Sequence, residues 1–285
     1  MLWQTSRFAI DLARPQVMGI VNVTPDSFSD GGKHAGTASA LRHCEQLVKD
    51  GAHILDIGGE STRPGSPAVP LAEELARVLP VVQGAVTLGV PVSVDTYKPE
   101  VMQAVLDLGA DIVNDVWALR QPGAAAVVAG HPLCGVCLMH MHRDPQTMQV
   151  APMAGDVVSE VLSFLAQAAE NLRGLGVARG RIALDPGIGF GKTVEQNFAL
   201  LARQQELVAT GYAVLAGWSR KSSLGAVTGL AVAGERMLPS VAAALLAVVN
   251  GARIVRVHDV AETVTALAVW QAMDQQQQEQ RPAQP

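Results

Sequence analysis

The chain has 285 residues, 49% apolar and 16% charged, with a net charge of -5. That is enough to bury one large core, and at this length a single α/β barrel serves as well as two domains. The negative balance excludes a broad field for nucleic acid, so any bound anion must be held by a few placed groups. The opening MLWQTSRFAIDLARP breaks its apolar residues with Arg7, Asp11 and Arg14 and reads as neither signal peptide nor anchor. The apolar stretch Leu238 to Val249 is too short to span a bilayer and reads as a packed helix. No membrane segment is expected, and three cysteines suit a reducing, cytoplasmic compartment.

In chain order, short apolar runs begin at Val17 (VMGIVNV), His53 (HILDIGG), Val90 (VPVSVD), Asp111 (DIVNDV), Leu133 (LCGVCLMH), Arg181 (RIALDPG), Tyr212 (YAVLAG) and Ala252 (ARIVRVHD). Helical patterns fall between them, at Ala38 to Asp50, Leu71 to Val86, Pro99 to Leu108, Asp156 to Leu175, Val194 to Thr210, Glu235 to Asn250 and Ala261 to Met273. Runs this uniformly apolar suit parallel strands covered by helices on the outside. Pro99 suits a first helical turn, and Gly51, Gly109, Gly211 and Gly251 each stand where a C-terminal cap glycine ends a helix before the next strand. Eight such units predict a single-domain (β/α)8 TIM barrel over residues 1–273, with a disordered Gln-rich tail at 274–285.

In such a barrel the chemistry gathers at the carboxyl ends of the strands. Those ends carry Asn22, Gly58 to Arg63, Asp95, Asn114, His140, Asp185, Ser219 to Ser222, and Arg256 with His258. Singly, Asp185 fits a turn in LDPG, and Asn22 and Asp26 fit capping in NVTPDS. Polar residues at every end, converging on one face, call for a polar ligand. Asp95, Asn114 and Asp185 suit the donor-rich edge of a flat heterocycle, whereas Asn22, Arg63, Arg256 and His258 suit an anion with a hard cation. Two long loops, Asn22 to Thr37 with Gly31 and Gly32 as hinges and Gly58 to Pro70, are expected to close over substrate.

Three short patterns compete with this reading. GFGKT around Lys192 lacks the earlier glycine of a phosphate-binding loop, Pro186 standing there instead. Cys134 and Cys137 form a C-x-x-C, but an offset of three on a strand sends them to opposite faces. His140 and His142 share a face and match part of a metal hydrolase pattern, yet the later strand ends carry Asp185 and Ser219 in place of further histidines.

The segments GIVNVTPDSFSDGG (Gly19 to Gly32) and LDIGGESTRPG (Leu55 to Gly65) resemble the two signature segments of dihydropteroate synthases. SVDTYKPEV, VNDV, LMHM, LDPGIGFGK, GWSRKS and RVHDV follow in the family's order, so the resemblance spans about Val17 to Val260. It implies that Asp95, Asn114, Asp185 and Lys221 hold a pterin ring, that Arg256 stacks on its face, and that Met139 and Gly217 wall it. It implies that Asn22 with Mg2+, Arg63, Arg256 and His258 bind pyrophosphate, and that Thr62, Arg63, Pro64, Phe190, Lys221 and Ser222 line a p-aminobenzoate pocket. Asp26 and Phe28 would belong to a mobile loop, Asp95, Lys221, Arg256 and His258 would be catalytic, and the chain would form a homodimer.

The implied reaction is displacement of pyrophosphate from the methylene carbon of a dihydropterin by the arylamine nitrogen. A dissociative path through a cation-like methylene is expected, in which Arg256→Ala and His258→Ala reduce turnover more than pterin affinity. Tyr97 and Ile188 depart from the family's commoner residues and bear on pocket shape without removing a functional group. A pterin-dependent methyltransferase barrel, or a paralogue that binds pterin without turnover, are the alternatives.

Overall fold

The computed structural model describes residues 1–24, 32–61, 66–143 and 153–279. Its strands are β1 (Leu2–Gln4), β2 (Ala9–Asp11), β3 (Gln16–Asn22), β4 (Ile54–Gly58), β5 (Val92–Asp95), β6 (Ile112–Asp115), β7 (Gly135–Met139), β8 (Ile182–Asp185), β9 (Ala213–Ala216) and β10 (Ile254–Val257). The helices are α1 (Gly32–Lys49), α2 (Leu71–Ala85), α3 (Pro99–Asp107), α4 (Ala124–Gly130), α5 (Val157–Gly174), α6 (Val194–Ala202), α7 (Gln204–Val208), α8 (Ser222–Thr228), α9 (Met237–Val249) and α10 (Val260–Glu279). Strands β3 to β10 close into a parallel barrel in chain order, with β10 returning to β3. This is the (β/α)8 barrel that the eight apolar runs predict.

The barrel forms because each strand is buried on both faces. Val17, Leu55, Val94 and Val255 pack outward against helices, while Met18, Ile54, Ile112 and Ile254 pack inward. The four cap glycines adopt the left-handed backbone that ends a helix, with φ of +97° at Gly51, +93° at Gly109, +76° at Gly211 and +95° at Gly251. Cys134 lies in the helix-side core and Cys137 inside the barrel, so the C-x-x-C is split between two faces. Burial raises the pKa of both thiols, which disfavours the thiolate that redox or zinc chemistry needs.

The amino-terminal hairpin of β1 and β2 closes the lower end of the barrel. Trp3, Ile10 and Leu12 join the inward residues of the strand starts in one apolar cluster, and Trp3 Nε1 donates to the Arg181 carbonyl at 3.0 Å. Arg7 clamps the same end, with Nε donating to Asp111 Oδ1 at 3.0 Å and Nη2 to Oδ2 at 2.6 Å.

Several expectations are corrected. Helix α1 starts at Gly32, so residues 32–37 are helix where a loop was expected, Asn22 ends β3, and 25–31 of that loop lie outside the described residues. The predicted helix Val194 to Thr210 is two, α6 and α7, because Arg203 leaves helical geometry and sends Nη1 to Asp156 before α5. Helix α10 continues to Glu279, so the Gln-rich run is helical to that point. Glutamine is a fair helix former, and extending an existing helix avoids the cost of nucleation.

Candidate active site

The period-two alternation that buries isoleucines low in the barrel lifts polar residues to its upper end. Ile54 is followed inward by Asp56 and Gly58, Ile112 by Asn114, Cys137 by Met139, Ala183 by Asp185, and Ile254 by Arg256 and His258. A cavity of about 690 Å³ opens there, lined among others by Asn22, Asp95, Asn114, Met139, Asp185, Phe190, Gly217, Lys221, Arg256 and His258. Its volume suits a bicyclic heterocycle with a second ring beside it.

The floor is an ion cluster. Arg256 Nε donates to Asp56 Oδ2 at 2.6 Å and Nη2 donates to Asp95 Oδ2 at 2.8 Å, so two carboxylates fix the plane of one guanidinium. Asn114 Nδ2 donates to the same Asp56 oxygen at 3.2 Å, and Asp56 Oδ1 is buried with no partner among the described residues. Burial raises the Asp95 pKa from 3.8 to about 7, with Arg256 opposing and Asp56 adding to the rise. Asp56 is the residue that sequence reasoning missed. Its signal was a lone charge inside the otherwise apolar run HILDIGG, at inward parity with Ile54.

Asp185 closes one side. Its Oδ1 accepts the Gly187 N–H at 2.7 Å, and burial raises its pKa against the pull of that hydrogen bond and of Lys221. Lys221 Nζ stands 4.2 Å from the centroid of the Phe190 ring, a cation over an aromatic face, and burial lowers its pKa to about 8. A Cβ at Gly217 would come within 3.9 Å of Asp185 Oδ2, so glycine leaves that carboxylate open to the cavity. His258 is held by Ser219, whose Oγ lies 2.9 Å from Nδ1 and accepts the His258 backbone N–H at 3.1 Å. Asn22 reaches the cavity from the end of β3.

Ser222 is exposed at the first turn of α8, at the rim and not among the residues lining the cavity. Thr62, Arg63, Pro64, Asp26 and Phe28 lie outside the described residues. His140 does not join the converging set. It follows inward-facing Met139, and its ring packs edge-on against Phe164 of α5 at 4.9 Å. Burial, with Lys192 and Arg120 adding to it, drives its pKa down to about 2. Among the described residues no group of three or more His, Cys, Asp or Glu stands ready for a metal, which removes the support for a hydrolase built on His140 and His142.

Of the two unusual residues, Ile188 lines the cavity, whereas Tyr97 turns aside to stack on Trp117 at 5.2 Å and to donate to Glu60 at 2.9 Å. Lys98 bridges Glu60 and buried Glu74, and Thr96 Oγ1 donates to Glu74 at 2.7 Å. This second buried network stiffens the rim below Glu60.

The family model described as "Pterin binding enzyme" matches residues 18–258. The dihydropteroate synthase of Neisseria meningitidis serogroup B is 51% identical over 277 residues, covering 95% of this chain and 97% of that protein. The chain belongs to the dihydropteroate synthase family. Solved structures of the family agree with the fold. The Burkholderia cenocepacia dihydropteroate synthase complexed with 7,8-dihydropteroate has a TM-score of 0.90 and 52% identity, covering 98% of each chain. The Xanthomonas albilineans dihydropteroate synthase with 4-aminobenzoic acid has a TM-score of 0.91 and 49% identity, covering 96% of this chain and 99% of that one.

Proposed function

We propose that the protein condenses 6-hydroxymethyl-7,8-dihydropterin pyrophosphate with p-aminobenzoate to give 7,8-dihydropteroate and pyrophosphate, a transferase step of folate biosynthesis. The observation that carries this reading is the buried set Asp95, Asn114 and Asp185 around Arg256 at the closed end of the cavity. Acceptors and an amide so placed match a flat ring rich in N–H groups, and Lys221 supplies a donor for its acceptor atoms.

In the reaction the arylamine nitrogen forms a bond to the pterin's methylene carbon as the bond from that carbon to oxygen breaks. The electron pair leaves with pyrophosphate and the amine gives up a proton. Positive charge developing at the methylene would be offset by Asp95 and Asp56, and negative charge on the leaving group by Arg256 and His258. The carboxylates also hold Arg256 flat at the cavity floor, the posture that stacking on a pterin face requires.

Magnesium belongs to the proposal as an ion shared with substrate, where it would act as a Lewis acid on the departing pyrophosphate. Asn22 would give it one amide oxygen, and with no acidic cluster among the described residues the other ligands would be pyrophosphate oxygens and water. The purified protein, given both substrates with and without magnesium, is expected to release dihydropteroate and pyrophosphate together and only with the metal. Pterin binding without turnover would identify a binding-only paralogue, and full turnover in chelator would remove magnesium from the scheme.

A homodimer contact is proposed on the outer face of α9 and α10, where Leu238, Leu246, Val249, Val269 and Met273 are exposed apolar residues. Sedimentation should show a dimer that Leu246→Glu converts to monomer; a wild-type monomer at all concentrations rejects it. A cytoplasmic location is supported by Cys44, Cys134 and Cys137 standing buried and unpaired.

A further inference from the structure

Lys192 forms no part of the chemistry above, yet it is 3% exposed and every proton of its ammonium has an acceptor. Nζ donates to the carbonyls of Gly187 at 2.8 Å, Phe190 at 3.2 Å and His140 at 3.3 Å. Burial draws its pKa down to about 7, with the charge of Asp185 opposing the fall and that of Lys221 adding to it. The first two carbonyls belong to the turn between β8 and α6, and the third to the end of β7. The cation therefore ties two neighbouring strand ends together.

The backbone is built around this tie. Gly187 has φ of +69°, and a Cβ there would collide with the carbonyl oxygen of His140, so the two segments pass closer than a side chain allows. On the far side of the turn Asn197, 1% exposed on α6, completes the frame. Its Oδ1 accepts the Gly189 N–H at 2.8 Å, and its Nδ2 donates to Ser223 Oγ at 2.9 Å. Ser223 follows Ser222 at the start of α8, two residues after Lys221.

Between these two anchors sits Phe190, with Lys221 across from it at 4.2 Å. We propose that Lys192 and Asn197 are positioning residues that hold Phe190 and Lys221 together as one wall of the cavity, and so set where an arylamine can lie against it. Neither needs to touch substrate. Lys192 holds the phenylalanine side through Gly187 and Phe190, and Asn197 holds that turn against the serine side through Gly189 and Ser223. Phe190 and Lys221 meet at 4.2 Å, too close for a ring to pass between them, so they form one wall and an arylamine lies against it. This rests on the proposed reaction and on p-aminobenzoate lying against Phe190 and Lys221, as the family resemblance implies.

The test is steady-state kinetics on Lys192→Met and Ser223→Ala, with KM measured separately for p-aminobenzoate and for the dihydropterin pyrophosphate, alongside thermal melting. Ser223→Ala removes a single neutral hydrogen bond of the frame and should raise KM for p-aminobenzoate about tenfold. KM for the pterin substrate should stay within about twofold, because Asp95, Asn114, Asp185 and Arg256 lie on strands that this bond does not touch. Lys192→Met should widen the same split. If Lys192→Met does not fold, Ser223→Ala still decides the matter. Folded variants in which both KM values are unchanged, or rise together, overturn the proposal while the wild-type reaction stands. A wild-type protein without turnover would instead remove the reading beneath it, and the proposal with it.

Discussion

Arg256→Ala is expected to lose turnover by about 10³-fold or more and to lose stability as well, because one guanidinium serves both the leaving group and two buried carboxylates. Removing one partner of a buried ion pair typically costs about 3–5 kcal/mol, since the remaining charge is left uncompensated. The stability loss should depend on pH. Asp95 has a folded pKa raised to about 7 from 3.8, so its contribution to stability is fully present below the lower value and is lost as pH rises towards the upper one. Arg256 holds that folded pKa down, and without it the loss continues above neutrality. The melting-temperature difference between wild type and Arg256→Ala should therefore be larger at about pH 8 than at about pH 6. Equal differences at both would show that Asp95 is not the group Arg256 serves. The structure also alters the expected kinetic pattern. Because Arg256 holds Asp95, its loss should weaken pterin binding together with turnover, whereas His258→Ala, whose ring is held by Ser219, should act mainly on turnover.

Asp185→Asn should move binding and stability in opposite directions. The carboxylate that would accept two pterin donors becomes an amide with one acceptor and an N–H2 facing other donors. A site built to pair such groups loses about 10²–10³-fold in affinity when one is mismatched. The fold needs the charge only for its pull on buried Lys192 and Lys221, and the cost of burying it works against that. Burial disfavours the ionised form of Asp185, and the Asn oxygen still accepts the Gly187 N–H, so the variant should melt at the wild-type temperature or above it. Calorimetric titration with a pterin, beside a melting curve in the same buffer, checks both signs. Pterin affinity within about threefold of wild type, less than one hydrogen bond is worth, would remove Asp185 from the ring-binding set.

Much of this was legible because the barrel repeats one rule. Each run is apolar on both faces and ends in polar residues at the inward parity, so Asn114, Asp185 and Arg256 were legible from spacing, whereas Met139 entered only through the family resemblance. His140 was misplaced by ignoring that parity, since it follows Met139 and must face the helices. Asp56 was missed for the opposite reason, being read as part of an apolar strand when its inward parity made it the counter-ion of Arg256. The hairpin β1–β2, with strands of three residues, and helices α4 and α8, of seven, are too short for periodicity to register. Lys192 was set aside because its motif fails as a phosphate loop. Only tertiary structure brings the carbonyls of β7 and of the following turn around its ammonium.

The hairpin under the barrel has a consequence for traffic. With Trp3 and its neighbours stoppering the lower end, the cavity among the described residues opens at the upper end, where substrates enter and products leave. Of the groups proposed for the pterin, Asp95, Asn114 and Asp185 are buried, while Ser222, which the family resemblance assigns to the arylamine, is exposed at the threshold. On the proposed assignment the bicyclic partner is expected to board first, and excess arylamine is expected to slow the reaction by standing in its way.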